Sequence, residues 1–596
     1  MSSLPQPRKR WRIREPIPSD ALAELGDLSP LLAQLLYNRG IRARSEAAAF
    51  LSGRWEGPSP FALKGMAEAV ARIHRAIRHG EPVAVYGDFD TDGITATALL
   101  TETLRGLGAE ARAYFPDRFN EGYGLNQQAL ERLYQAGYRL VITADCGIRS
   151  ATEVKAAQAQ GMDVIITDHH FPGQILPPAR AIVNPKQLGC PYPFKDLSGV
   201  GVAFKLAQAL LQDEDQPPAG PRGGAAHGRA SLPNPADLLD LVALGTVADI
   251  VPLVGENRSL ASQGLALLNE LRRPGLRALV EKAGLQPGGI TATHISFILA
   301  PRLNAAGRIA AASLGYQLLT TEHAAIANDL AEKLEMLNQE RQRLTRETFQ
   351  KAQADLAETG ALDRPLLMVS RKGFHPGIVG LVASRLTEEY YRPSVVVEVG
   401  EDFSKGSARS IPEFHITQAL DRCADLLVRH GGHAAAAGFT CANEQLPALE
   451  ERLLSIAEEI LGGQELAPTL EIEAEIPLSA APDALRALRS LEPVGESNPL
   501  PCFLTRGVRV NKAQVVGKEG QHLRLELYDG CATWDGIGFN LGSWAADIPG
   551  QIDVVYHLEQ NQWGGEDRIR LNVQNLRPAA EGAPTSSTDA VTPCGK

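Results

Sequence analysis

No CxxC pair, no GxxxxGK(S/T) loop and no run approaching the roughly 20 apolar residues of a membrane span occurs in this 596-residue chain. The missing loop excludes a P-loop motor, and the missing apolar run excludes a membrane-spanning helix. The basic start, MSSLPQPRKRWRIREP, leads into no apolar core or cleavage site, so no secretory signal is expected. Seven cysteines lie scattered, at Cys146, Cys190, Cys423, Cys441, Cys502, Cys531 and Cys594. An odd, dispersed set points to reduced thiols in a cytoplasm. Excess positive charge is lacking too: a net charge of −11 is a poor footprint for coating nucleic acid. Acids that bind cations would inflate that count, so the matter rests with local basic residues.

What is present is organised around VAVYGDFDTDG at 83–93. A short apolar run reads as a buried strand, breaks into Asp88, Asp90 and Asp92, and passes into a helical pattern at 94–104. Two further stretches repeat the design: LVITADCG at 140–147 ends in Asp145, and DVIITDHH at 163–170 ends in Asp168, His169 and His170. Strands alternating with helices predict a parallel sheet, which binds ligands at the carboxyl ends of its strands. Singly, each acid reads most often as a turn residue or helix N-cap. Together, three acid-tipped strands crowd carboxylates that only a cation can neutralise. Imidazole beside oxygen donors, without paired thiols, suits Mn²⁺ or Mg²⁺ and points to two-metal phosphoester hydrolysis.

GDFDTDG, TADCG and TDHH, followed by GTVADIVPL at 245–253, resemble the four metal motifs of the DHH phosphoesterase family. The resemblance extends over roughly residues 83–578. It implies that two ions are held by Asp88, Asp90, Asp145, His169 and Asp249, with His170 also catalytic and Asp92 and Asp168 orienting the ligands. Within the family the pattern is most similar to single-strand-specific 5′→3′ DNA exonucleases of repair and recombination. That branch implies a single-stranded DNA substrate with a 5′ end and a monomer in the cytoplasm near the nucleoid. Single-strand-binding protein and a RecQ-type helicase are its implied partners. A DHH enzyme for short oligonucleotides or nucleotide phosphates, and a catalytically inactive replication scaffold, are the competing readings.

The length suggests about three or four domains. Residues 1–80 read as a helical cap on the catalytic domain, 81–322 as the α/β DHH domain and 323–360 as a long connecting helix. A Gly/Pro-rich insert at 212–235 reads as disordered. Residues 361–463 read as a smaller α/β domain resembling DHHA1. The alternating strands of 464–578 suggest an all-β OB-fold domain, and 579–596 a disordered tail.

Substrate contacts are expected at Arg118, in a loop after a short strand, and at Arg302, Asn304 and Arg308, where small residues permit close approach. In the second α/β domain they are expected at His375, in a Gly-rich turn, and at Ser407 and Arg409, read as part of an anion nest. His433 follows two glycines. In the OB segment Arg506, Arg509, Lys512, Lys518 and Arg524 form a basic strip for single-strand binding. Trp534, Trp544 and Trp563 lie there as core or as stacking platforms.

Overall fold

The computed structural model describes residues 9–54, 57–117, 124–212, 234–517, 520–563 and 566–579. The chain forms two compact units. The larger comprises Arg12–Asn304, Ala311–Glu332 and the chain from Glu471 onward; the smaller comprises the chain up to Trp11, Ala305–Ala310 and Lys333–Leu470.

The larger unit is built on five strands: β1 (Val83–Gly87), β2 (Ala111–Tyr114), β3 (Leu140–Ala144), β4 (Asp163–Thr167) and β5 (Ala181–Val183). All pair in parallel, in the order β2-β1-β3-β4-β5. Strands β1 (VAVYG) and β3 (LVITA) are largely apolar and buried at every position, as strands covered on both faces by helices are. The order reverses direction between β1 and β3. Such a switch point opens a crevice at the carboxyl ends of its flanking strands.

Three helices close on that crevice: α1 (Thr91–Gly106), α2 (Gly199–Gln212) and α3 (Leu239–Ala248). Helix α1 runs through the interior despite five threonines. Thr95, Thr97, Thr101 and Thr103 return their hydroxyls to carbonyls one turn earlier, so no hydroxyl among these four is buried unsatisfied. Helix α4 (Ala300–Ile309) follows a π-helical turn at Ile295–Leu299. Helix α5 (Ala324–Glu358) is 35 residues long and passes from the larger unit into the smaller.

In the smaller unit β6 (Leu367–Arg371) and β7 (Ser394–Val399) pair in parallel. Beyond them β8 (Phe403–Arg409), β9 (Arg429–Gly432) and β10 (Ala436–Ala442) add antiparallel strands in the order β9-β10-β8-β7-β6. Helix α6 (Val379–Tyr390) packs its Val382, Ala383 and Leu386 into that sheet's core.

The C-terminal strands β11 (Phe503–Val516), β12 (His522–Tyr528), β13 (Thr533–Gly538), β14 (Gln551–Trp563) and β15 (Glu566–Pro578) form a closed barrel. Its order is β11-β12-β13-β15-β14, and β14 returns to β11. Within the barrel β13 and β15 pair in parallel, the pattern of an OB fold, and a short strand at Ala474–Glu475 adds to β11 in parallel. Helix Ala481–Leu491 lies within the segment that alternation alone reads as all-β.

The N-terminal region divides. Helix Met66–His79 lies against the parallel sheet, with Arg72 Nε 2.6 Å from Asp163 Oδ2. Leu25, Leu35 and Leu36 instead share one core with Leu488, Phe503 and Leu527 of the barrel region. Arg39 bonds Glu473 at 2.6 Å and Asn498 at 2.7 Å, with both charged side chains buried. Apolar helices carry no record of which distant sheet covers them, so a segment expected to cap one domain serves two. No helix among the described residues is long and apolar enough to cross a membrane. The insert and the tail lie, save for their first or last residues, outside the described residues.

Candidate metal centre

Each acid of the first motif is placed by a different local rule. Asp88 leaves β1 directly. Asp90 caps α1, accepting from Gly93 N at 3.1 Å. Asp92, in the first turn of α1, accepts Gly199 N at 2.6 Å and Val200 N at 2.8 Å, and so ties the start of α2 to the motif. Asp145 follows β3 at φ +65°, a left-handed conformation that aspartate tolerates. The backbone thereby turns its carboxylate into the crevice beside Gly199, where a Cβ would stand 2.5 Å from Asp145 Oδ1. Asp249 is the C-cap of α3. Ile250 after it holds φ +59° with 68% of its surface exposed, a strained posture for a β-branched residue.

These groups form overlapping sets whose donor atoms lie within 4.8 Å of one another: Asp88, Asp90 and Asp145; Asp92, His169 and Asp249; and Asp145, His169 and His170. His169 Nε2 stands 3.2 Å from Asp145 Oδ1 and 3.5 Å from Asp249 Oδ2. None of these three buried atoms has a hydrogen-bond partner among the described residues. Buried acceptors facing one another without donors are costly, and a shared cation resolves that cost.

The electrostatics agree. Burial, then the charges of Asp92 and Asp90, push the Asp145 and Asp249 carboxyls well above their usual range. Burial and then Asp90 raise Asp92 to about 7. Burial and then His170 push His169 down to about 3, which leaves its imidazole neutral and able to ligate. Asp168 is committed elsewhere: Oδ1 accepts His169 N, His170 N and His170 Nδ1 at 2.7–3.0 Å, and Oδ2 accepts Ile148 N at 2.9 Å. Burial opposes the charge on His170, but that bond and the charge of Asp168 outweigh it and raise the imidazole's pKa. Oxygen-rich sets with one or two imidazoles fit Mn²⁺ or Mg²⁺.

The expected substrate residues have mixed fates. Arg118 and Lys518 lie outside the described residues. Arg302, Asn304 and Arg308 stand on α4. Asn304 Oδ1 accepts Thr91 N at 2.8 Å and Thr91 Oγ1 at 2.9 Å, between Asp90 and Asp92, so this side chain braces the acid turn. Arg302 Nη1 donates to Ile298 O at 2.7 Å.

In the smaller unit the expected nest is corrected. Ser407 and Arg409 lie on β8, a strand paired on both sides, so its ladder uses the backbone N–H groups. The side chains themselves meet: Arg409 Nη1 donates to Ser407 Oγ at 3.2 Å, and Gly380 at the start of α6 lies against both. Burial lowers the Arg409 pKa, and no carboxylate pairs with it among the described residues. Arg308 Nη1 reaches Gly377 O at 3.4 Å, and His375 Nδ1 accepts Gly377 N at 3.1 Å. Arg308, His375, Ser407 and Arg409 thus gather near one helix N-terminus. His433 is exposed in the turn after β9 and donates its N–H to Ala436 O.

On the barrel Arg506 pairs with Glu475 and Asp553, and Arg524 with Asp535. Arg509 and Lys512 are exposed. Trp534 and Trp544 pack against the barrel core, and the Trp563 side chain lies outside the described residues.

Sequence reasoning passed over Asn184 and Gly199. Asn184 is buried and bridges His170 O to Lys186 N. The SGVGV run at 198–202 signals a close approach at Gly199, whereas nothing local singles out Asn184.

The chain matches the DHH family, N-terminal domain, over residues 82–246, the DHHA1 domain over 363–462 and the RecJ OB domain over 472–575. It is 38% identical over 576 residues to the single-stranded-DNA-specific exonuclease RecJ of Bacillus subtilis (strain 168), covering 95% of this chain and 71% of that protein. Against the protein of the same name from Escherichia coli (strain K12) identity is 35% over 581 residues, covering 94% and 98%. The crystal structure of RecJ in complex with Mn²⁺ from Thermus thermophilus is similar at TM-score 0.81 and 31% identity, covering 96% of this chain and 80% of that one. The Mg²⁺ complex from the same organism gives 0.75 and 30%, covering 96% and 79%.

Proposed function

The chain belongs to the RecJ family of single-stranded-DNA-specific exonucleases, and from that premise we propose that it hydrolyses single-stranded DNA from the 5′ end using Mn²⁺ or Mg²⁺. The convergence of Asp88, Asp90, Asp145, His169 and Asp249 at the switch point carries this reading. Divalent ions held by these residues would supply Lewis-acid polarisation of the phosphoryl oxygens and an activated water.

The protein's own contribution is positional. Asp145 and His169 each belong to two donor sets, so both would help to hold more than one ion. Asp92 and Asn304 hold the turn that carries Asp88 and Asp90. Asp168 fixes the His170 ring through Nδ1, which supports His170 as a donor to the phosphate. In the smaller unit the Arg308, Ser407 and Arg409 cluster suits a terminal phosphate. A buried guanidinium with no carboxylate partner among the described residues favours an anion, and such a contact would set 5′ polarity.

The sequence contains no P-loop, so on duplex DNA the enzyme needs another protein to open the strands. A RecQ-type helicase and single-strand-binding protein fit that need, with the chain acting as a cytoplasmic monomer at the nucleoid. The test is Mn²⁺-dependent digestion of a 5′-phosphorylated, 3′-labelled single strand beside its duplex and a dinucleotide, with Asp145→Ala as control. Shortening of the single strand from its 5′ end, abolished by the substitution, is expected. Cleavage confined to the dinucleotide would replace the reading with a small-substrate enzyme, and binding without cleavage with a scaffold.

A further inference from the structure

Immediately after the His169-His170 pair, Phe171 exposes 57% of its surface, an unusual posture for a phenylalanine fixed beside a catalytic crevice. The ring is not adrift. Arg149 Nε bonds the Phe171 carbonyl at 2.9 Å, and Lys186 Nζ stands 4.7 Å from the ring centroid, a cation–π distance.

Lys186 is itself anchored to the histidine motif. Asn184, fully buried after β5, donates Nδ2 to His170 O at 2.9 Å and accepts Lys186 N at Oδ1 at 2.7 Å. Phe171 and Lys186 therefore keep a fixed relation to His169 and His170, on the same carboxyl edge of the sheet. They open a cavity of about 330 Å³ whose other walls include Gln187, Cys190, Lys195 and Asp196. Lys195 Nζ bonds Cys190 O at 2.8 Å. The charged lining is thus two ammonium groups against one carboxylate, beside an aromatic ring and within the size range of a small-ligand site.

We propose that this cavity is a nucleotide subsite for the single strand, in which Phe171 stacks one base and Lys186 contacts the adjoining phosphate. The proposal rests on the single-strand exonuclease reading and adds to it where the strand lies next to the metal centre. An aromatic face with a nearby cation is the combination that holds single strands without regard to sequence, since every base has a π-face and every nucleotide a phosphate. The net positive lining suits that occupant better than an apolar peptide segment.

The test uses the full chain and a series of 5′-phosphorylated oligonucleotides. A single abasic tetrahydrofuran residue is moved through the first eight positions. For the wild type, KM rises by about tenfold at one or two positions, the effect of losing a stacked base. For Phe171→Leu, KM with normal bases rises by a similar factor, and the abasic penalty at those positions disappears. The penalty elsewhere is unchanged. Lys186→Met, measured by binding in Ca²⁺, reduces the slope of log affinity against log salt by about 0.7, one phosphate on a single strand. A flat abasic scan in the wild type, or a penalty that persists undiminished in Phe171→Leu, overturns the proposal while leaving the exonuclease reading standing. Failure of the wild type to digest any single strand overturns that reading and the proposal together.

Discussion

Replacing Gly199 by alanine perturbs the metal centre without removing a ligand. Gly199 opens α2 and donates its N–H to Asp92 Oδ2 at 2.6 Å, while a Cβ there would stand 2.5 Å from Asp145 Cβ and Oδ1. Ordinary contact begins near 3.4 Å, so either the carboxylate or the helix start must yield by about 0.9 Å. Neither moves freely. Asp145 N bonds Thr167 O at 3.1 Å in the strand layer, and both oxygens of Asp92 grip the first residues of α2. Overpacking of this kind costs about 1–3 kcal/mol of stability, and a displacement near 1 Å at a reacting centre costs about 10²-fold in rate. The expected result for Gly199→Ala is a folded protein whose kcat on single-stranded DNA falls by about 100-fold and whose Mn²⁺ half-saturation rises. Initial rates on a 3′-labelled oligonucleotide across a Mn²⁺ titration measure both, with circular dichroism to confirm the fold. Wild-type rate at wild-type Mn²⁺ dependence would refute the claim that Gly199 sets the position of Asp145.

Asn304→Ala removes the acceptor of both Thr91 bonds, so kcat should fall by about 10- to 100-fold with the fold kept, as rates and thermal melting can show. Arg258 donates to the carbonyls of Phe50, Ser490, Leu491, Glu492 and Pro493, so Arg258→Met strands buried carbonyls and should destabilise the protein by about 3 kcal/mol or more in denaturant unfolding. Asp145 and Asp249 carry raised carboxyl pKa values in the metal-free fold, and Asp92 is raised to about 7. Because those folded values exceed the unfolded ones, the metal-free fold loses stability as pH rises through them, and an entering ion displaces protons. Calorimetric Mn²⁺ titrations in buffers of different ionisation enthalpy should register proton release, and affinity should increase between about pH 6 and 8. Arg409→Ala should reduce the preference for 5′-phosphorylated over 5′-hydroxyl ends by about tenfold or more, and an unchanged ratio would remove this guanidinium from end recognition.

The parallel sheet was legible because strands buried on both faces read as unbroken apolar runs, and the acids that end those runs mark the carboxyl edge. Asp88, Asp145 and His169 meet there because β1, β3 and β4 are neighbours. The five barrel strands were legible by alternation, and the 35-residue helix by its length. Less local relations were not. Asn304 looks like a polar residue among small ones, and its bond to Thr91 spans 213 positions in sequence. Ser407 and Arg409 resemble a loop nest because glycine and serine are common in both nests and strands; only the partners of β8 decide between them. On the barrel, the carboxylates that Arg506 and Arg524 meet come from other segments, a relation the order of the sequence hides. Leu35 and Leu36 give no hint that they face the C-terminal barrel, because an apolar helix face specifies burial and not its partner.

Asp145, which belongs to two of the donor sets at the switch point of the sheet, would help to hold two divalent ions there. Electron paramagnetic resonance of the Mn²⁺-loaded protein tests it most directly, with Asp145→Asn measured in parallel. The account predicts two Mn²⁺ per chain with an exchange-coupled signal in the wild type. It also predicts loss of the coupling, together with loss of single-strand digestion, in the variant. An uncoupled single ion in the wild type, or coupling that survives in Asp145→Asn, would contradict it.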